Sequence, residues 1–401
     1  MKERTRAVVL PYQTDPDHNI DDCPLISTTT AMADNWRSKQ QNPGRGRGGW
    51  RARGGAGNAG RGVPRTPQPA VERPAPQAHI NDARRKMEYM ASVSRSSGLE
   101  KDGDSLKDFR TQQEYRQFIQ EKLNNVFTRH PWRVTETEDA RKQRIEVQEN
   151  VLILFRKLRE GVSASRRKDV FALEVYQTSL FLAVIFASPK QTTSIIPHLV
   201  PTMFIESSEP ASLVIITVLI SLLHHLVTAY PSQGTYHQHL NSIPKHLFLK
   251  GSEAGVWIKD LATSLRAKNY AKFERLSRRS MVARFFEDNN SDMFAELQTF
   301  PVSQQASSNL AHRALLILVD SLRTKARDTS WSIMRAAYRE LSCGAGSQDT
   351  KDWMCRSLYL QSLVTDDLDI NAQEWLETQL LLGHVRRKEG FEDRWIVCKA
   401  R

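Results

Sequence analysis

The chain has 401 residues, 40% of them hydrophobic and 25% charged, with a formal net charge of +12. That length allows two or three domains and a large core, and its four cysteines, Cys23, Cys343, Cys355 and Cys398, include no close metal-type pair, which speaks against a disulfide scaffold and fits a reduced, intracellular compartment. The basic excess is local: Asn35 to Val71 holds no acid and eight basic residues, Arg37, Lys39, Arg45, Arg47, Arg51, Arg53, Arg61 and Arg65.

Met1 to Pro11 has charges but no apolar run of the kind a secretory signal needs. An arginine–glycine tract follows at Gly44 to Gly55, then a proline-rich stretch at Val63 to Pro76. Neither carries enough apolar surface to offset the entropy of ordering a chain, so residues 1–104 are expected to be a disordered arm, with a short helix near Asn81 to Ala91. Guanidinium groups contact phosphates and stack on bases, and glycine lets the backbone follow a single strand. Arg45, Arg47, Trp50, Arg51, Arg53 and Arg61 are therefore candidate nucleic-acid-binding residues, with RNA as the partner. The alternative is a solubilising or targeting tail. Gly44, Gly46 and Gly49 match a dinucleotide fingerprint in spacing only, since no strand precedes them and no helix follows.

From about Ser105 the periodicity is helical. Tyr115, Phe118, Ile119, Leu123 and Phe127 form one stripe, ended by His130-Pro131. Ile145, Val151, Leu152, Phe155 and Leu158 form another, ended by Gly161. Val170 to Ala187 and Ala211 to Tyr230 are apolar on most faces. The second is long enough to span about 30 Å, but His224, His225 and several hydroxyls interrupt it and no basic cluster flanks it, so a helix buried on all sides is expected instead of a membrane span. Further helical pieces run over Gln191 to Phe204, Thr235 to Leu247, Glu253 to Ala267, Tyr270 to Arg278 and Met281 to Leu297. Many short helices with short links suggest an all-α body of stacked pairs over residues 105–308, solenoid-like in plan.

The pattern changes over 309–401. Amphipathic Leu310 to Lys325 is followed by Ser330 to Leu341 behind a Thr329 cap, then Asp349 to Leu358 and Asn371 to Leu382, each opening on an Asp or Asn that can cap it. His384 to Lys388, a turn, and Arg394 to Lys399 close the chain as a hairpin, with Val385 opposite Trp395 and Val397 at period two. Helices ending in a two-stranded flap predict a C-terminal winged helix. Arg386, Arg387, Lys388, Arg394 and Lys399 lie on that hairpin as candidate phosphate contacts, diluted by Glu389, Glu392 and Asp393 at its tip. The alternative is a solvated edge that discourages strand pairing.

Three stretches resemble the Sac3/GANP/Thp3 family, whose core is a PCI-type domain. Phe171 to Ser179 is similar to its Glu-Val-Tyr-Glu-Thr stretch. Leu265 to Leu276 resembles the turn and Tyr-x-x-Phe motif that join adjacent helices. His312 to Leu316, continuing to Tyr338, is similar to the Arg-x-x-Ala-Leu helix entering the winged part. The Cys-Pro signature found upstream in many members has no counterpart beyond the lone Asp22-Cys23-Pro24, which points to a divergent or Thp3-like branch. The resemblance covers residues 105–401 and implies a non-enzymatic nuclear scaffold in mRNA synthesis, splicing or export. Its partners would be a second PCI-domain protein and a small acidic Sem1/DSS1-like peptide. The alternative is a structural subunit of a proteasome-lid, signalosome or initiation-factor particle.

Other signals are weaker. Lys272, Arg275, Arg278, Arg279 and Arg284 make a basic helical stretch, and Arg166-Arg167-Lys168 a basic loop that suits a helix-preceding turn or a nuclear localisation element. Five of the eleven histidines cluster at His224, His225, His237, His239 and His246. His237-x-His239 has zinc-ligand spacing without a cysteine nearby, so satisfied core histidines are the expectation and no metal or other cofactor is assigned. No Walker lysine motif, His-Glu-x-x-His or Gly-x-Ser-x-Gly is present, so no catalytic residue and no small-molecule substrate are expected.

Overall fold

The computed structural model describes residues 85–95, 101–129, 136–204, 211–286, 304–344, 346–365, 369–391 and 393–399. The arginine–glycine and proline-rich stretches lie outside these residues. The helical turn at 85–88 falls within the short helix expected near Asn81 to Ala91, whereas the 3-10 segments Val93–Arg95 and Lys101–Lys107 stand where a disordered arm is expected up to residue 104. Met90 and Leu106 are buried there, and Lys157 Nζ donates to the Met90 carbonyl at 2.8 Å. A few large apolar side chains are enough to anchor a polar strand to a core already formed beside it.

Ten α-helices follow: α1 (Phe109–Arg129), α2 (Glu138–Ala164), α3 (Val170–Ile185), α4 (Pro189–Pro197), α5 (Ala211–Ala229), α6 (Gly234–Ser242), α7 (Glu253–Arg266), α8 (Tyr270–Leu276), α9 (Arg279–Ala283) and α10 (Gln304–Ala337). Their starts are set by local chemistry. Thr137, Asp169, Ser252 and Asn269 each accept a bond from a backbone N–H in the first turn. Consecutive helices pack as neighbours from α1 through α6, α7 packs on α5 and α8 on α7, and α10 lies back across α3 and α5. Gly161 does not end α2 but sits inside it, because a Cβ there would fall 2.5 Å from the Leu106 carbonyl oxygen. There the Leu106 backbone lies directly against the helix.

Helix α5 is buried along most of its length, with Val218, Leu219, Ile220, Leu222 and Leu223 fully enclosed. Its hydroxyls are satisfied within the helix: Thr217 donates to the Leu213 carbonyl and Ser221 to that of Val218. No described helix is long and apolar enough to cross a membrane.

The expected break at Thr329 is absent. Leu310 to Lys325 and Ser330 to Leu341 belong in large part to the single helix α10, which also runs through the anticipated domain boundary at 308/309. No Gly or Pro interrupts Lys325 to Ser330, and the buried row Leu322, Ala326, Ser330, Met334 carries one stripe straight through. The Thr329 hydroxyl is paired instead with Tyr230 Oη at 3.1 Å.

After α10 come β1 (Glu340–Ser342), α11 (Gln348–Ser357), α12 (Ala372–Leu381), β2 (Val385–Arg387) and β3 (Arg394–Val397). They form an antiparallel sheet in the order β1-β3-β2. The hairpin lies where expected, and its register sets Val385 opposite Val397 and Arg387 opposite Trp395. Strand β1 replaces the expected end of the preceding helix and pairs Leu341 with Trp395. Asn371 caps α12 through the Gln373 N–H, whereas α11 starts at Ser347 without a side-chain cap and Asp349 sits in its first turn.

The apolar interior divides along α10. One cluster runs from Met90 to Ala326 and takes in Tyr359 and Leu363, and a second holds Trp331, Met334, Leu341, Met354, Leu376, Trp395 and Val397. The segment 358–363 joins them: Arg327 donates to the Leu358 and Tyr359 carbonyls at 2.8 and 2.7 Å, and Asp320 accepts from the Leu363 N–H at 3.2 Å. Tyr359 reaches the Tyr270 carbonyl at 3.2 Å and meets the Phe273 ring edge-on. The Tyr-x-x-Phe stretch of α8 is thus the seat of this joint.

Candidate nucleic-acid and protein interface

Strand alternation sorts the C-terminal sheet into two faces. Leu341, Trp395, Val385 and Val397 turn toward the second apolar cluster, and Glu340, Ile396, Arg386 and Arg394 occupy the other face. Gly390, at φ +78, supplies the left-handed residue the hairpin turn requires. The Arg394 carbonyl accepts from the Lys388 N–H at 2.9 Å, which closes that turn.

Of the hairpin residues singled out by sequence, three converge on acids. Lys388 Nζ lies 2.9 Å and Arg394 Nη1 3.4 Å from the Glu340 carboxylate. The Lys388 hydrogen bond, then its charge and that of Arg394, holds the Glu340 carboxyl below its usual pKa. Arg387 stacks over the Trp395 ring at 5.2 Å and pairs with Glu377 of α12 at 3.7 Å. Arg394 and Lys388 also flank the half-exposed Phe391 ring, at 4.7 and 5.4 Å. Arg386 and Lys399 are exposed, and no ion-pair partner is found for either among the described residues. Sequence reasoning missed Glu340, because it was assigned to a helix and its partners are 48 and 54 positions away. The arm residues Arg45, Arg47, Trp50, Arg51, Arg53 and Arg61 lie outside the described residues.

Helix α12 contrasts with the hairpin. Its exposed positions are Gln373, Glu374, Glu377, Thr378 and Leu381, with no cation among them. Leu381 is 88% exposed and Leu382 61%. A helix of that surface is unsuited to a phosphate-lined groove, which favours cations, and suited to a protein contact.

The other basic runs are largely neutralised. Lys272 pairs with Asp260 at 3.0 Å, Arg278 with Glu274 at 2.8 Å and Arg284 with Glu253. Arg167, taken from sequence as part of an open basic loop, is buried: it pairs with Asp169 at 2.7 Å and lies between the Phe109 and Phe171 rings.

Of the five clustered histidines, His224, His225 and His239 pack together, whereas His237 and His246 are exposed. His224 Nε2 is 2.8 Å from the Thr193 hydroxyl and His239 Nε2 2.9 Å from that of Ser221. His225 and His239 lie 4.7 Å apart, centroid to centroid. Burial first, then the neighbouring rings, brings the His224 and His239 pKa values down to about 4. No grouping of three or more metal-ligating side chains occurs among the described residues. Cys343 is buried with its sulfur 3.5 Å from Met354 Sδ, and burial raises its pKa, the reverse of what an activated nucleophile needs.

No family model matches this chain, and neither a curated protein nor a solved structure matches it.

Proposed function

We propose that the chain is a non-enzymatic nuclear scaffold of the PCI type, similar to Sac3/GANP/Thp3 proteins, acting in mRNA biogenesis or export. The observation that carries this reading is the order helix, β1, two helices, β2-β3 hairpin, with β3 central in the sheet. That order supports reading the C-terminal part as a winged helix joined to a body of packed helices. In this reading the helical body and α12 dock protein partners, namely a second PCI-domain protein and a small acidic Sem1/DSS1-like peptide. The arginine–glycine arm holds RNA loosely, and the hairpin adds Arg386, Arg387, Lys388, Arg394 and Lys399 as phosphate contacts.

Deleting residues 35–71 is expected to lower RNA affinity and leave partner capture intact. With about four phosphate contacts, affinity of the intact chain falls roughly 50-fold between 50 and 200 mM salt, from a single-strand slope near 0.7 per contact. Unchanged RNA binding after the deletion removes the arm from this role. A second reading draws on the acidic and apolar surface of α12: a structural subunit of a proteasome-lid, signalosome or initiation-factor assembly, with no RNA role. Affinity purification with mass spectrometry separates the two, since export or splicing factors support the first and lid or initiation subunits the second.

A further inference from the structure

An open cavity of about 520 Å³ lies where the turn after α2, the start of α3 and the His198–Met203 turn meet. It is far in sequence from the C-terminal sheet. Val170 and Met203 present its accessible apolar surface, with the buried side chains of Val162, Ala172, Leu173 and Tyr176 behind them. Arg166, Lys168 and His198 stand at its rim. Arg167 and Asp169 also line it, but they neutralise each other through a 2.7 Å ion pair. Arg166 is exposed and leaves a positive charge at the mouth of an otherwise apolar interior.

The floor is charged from beneath. Arg159 is 6% exposed, lies 5.9 Å from the Tyr176 ring centroid and donates to Gln191 at 3.0 Å. Its Nε has no hydrogen-bond partner among the described residues. The His198 ring leans on Tyr176 at 5.5 Å. Burial and then the Arg159 charge hold His198 below its ordinary pKa, so at neutral pH it offers a neutral ring N–H as a donor. Arg159 below the floor and Arg166 at the rim give the cleft a field that attracts anions into an otherwise apolar space.

We propose that this cleft binds a small amphipathic organic anion, a carboxylate or phosphate on an apolar body of about two rings, with the head group at Arg166 and His198 and the body against Val170 and Met203. The size suits such a ligand, since small-molecule sites span roughly 300–1,000 Å³ and combine apolar walls with a few polar groups. A nucleic-acid strand is a poorer fit, because the one tyrosine here is buried and lends no free face for base stacking. An acidic peptide would use the rim but needs an extended groove beyond it. The inference is independent of the scaffold reading.

The test uses the full chain with 2-naphthoate as the probe, its neutral counterpart 2-naphthylmethanol, and a short peptide of Asp and Glu flanking one Trp, followed by calorimetry and ligand-observed NMR. Naphthoate is expected to bind at least about 10-fold tighter than the alcohol, since a charge-assisted contact is the difference between them. Arg166→Glu should weaken naphthoate about 10-fold and leave the alcohol nearly unchanged. Val170 lines the cleft and is 69% exposed, so Val170→Trp obstructs the mouth with no core residue altered. It should abolish naphthoate binding while the thermal unfolding midpoint stays within a degree or two of the parent. Equal affinity for acid and alcohol, indifference to both variants, or no saturation at millimolar naphthoate overturns the proposal. So does an acidic peptide that binds the same cleft about 10-fold tighter than naphthoate, which would make the site a peptide dock.

Discussion

Acid should unfold this protein through its buried histidines before its carboxylates are exhausted. His224 and His239 are held neutral by burial, with pKa values of about 4 against an ordinary 6.5. His225 is displaced in the same direction by burial. In the unfolded chain these rings take up protons as pH falls through 6.5, while the folded protein does not until about 4. The unfolded state thus binds more protons in that window, so stability is complete above 6.5 and is lost as pH drops toward 4. For His224 and His239 a displacement of that size corresponds to about 3 kcal/mol per ring; partial solvent access to His239 screens some of it, leaving about 1–2 kcal/mol there. The assay is urea unfolding at pH 7.5, 6.5, 5.5 and 4.5 for the parent and for the double variant His224→Gln, His239→Gln. Glutamine can still bond Thr193 and Ser221 but cannot ionise. The parent should lose about 2–4 kcal/mol more than the variant between pH 7.5 and 4.5, which removes the carboxylate contribution common to both. Parallel pH profiles, or imidazole resonances of His224 and His239 that titrate near 6.5, would refute the reasoning.

Gly161→Ala places a methyl 2.5 Å from the Leu106 carbonyl and 2.9 Å from its Cβ; a loss of about 1–3 kcal/mol in denaturant unfolding is expected, from forced separation of α2 and the 3-10 segment. Arg116 is fully buried, with Nη2 2.8 Å from Glu174 and its guanidinium over Phe155. Arg116→Met alone should cost about 3–5 kcal/mol by leaving Glu174 uncompensated, and adding Glu174→Met should recover much of that. Glu340→Gln withdraws the acid that binds Lys388 and Arg394. If the hairpin contacts RNA, the slope of log affinity against log salt should steepen by about 0.7–1.4; an unchanged slope argues against hairpin contacts with phosphate.

Helical content and the hairpin were legible in the sequence, because each depends on spacing along a continuous stretch. Val385, Trp395 and Val397 alternate within fifteen residues, and α5 announces itself by an apolar run that His224 and His225 only interrupt. Caps at Asp169, Ser252, Asn269 and Asn371 lie next to the helices they start. Tertiary structure decided what depends on distant partners. Glu340–Ser342 has little strand propensity of its own and becomes β1 because β3 offers an edge. Residues 85–95 and 101–107 are ordered through Met90 and Leu106, whose burial needs α2 behind them. Arg167 and Arg116 look like surface charges in a one-dimensional reading and are interior residues in three, since only the fold brings Asp169, Phe109 and Glu174 around them. Periodicity fixes which face of an element is apolar; which charges are neutralised, and where a cleft opens, are set by contacts that the chain makes only after it folds.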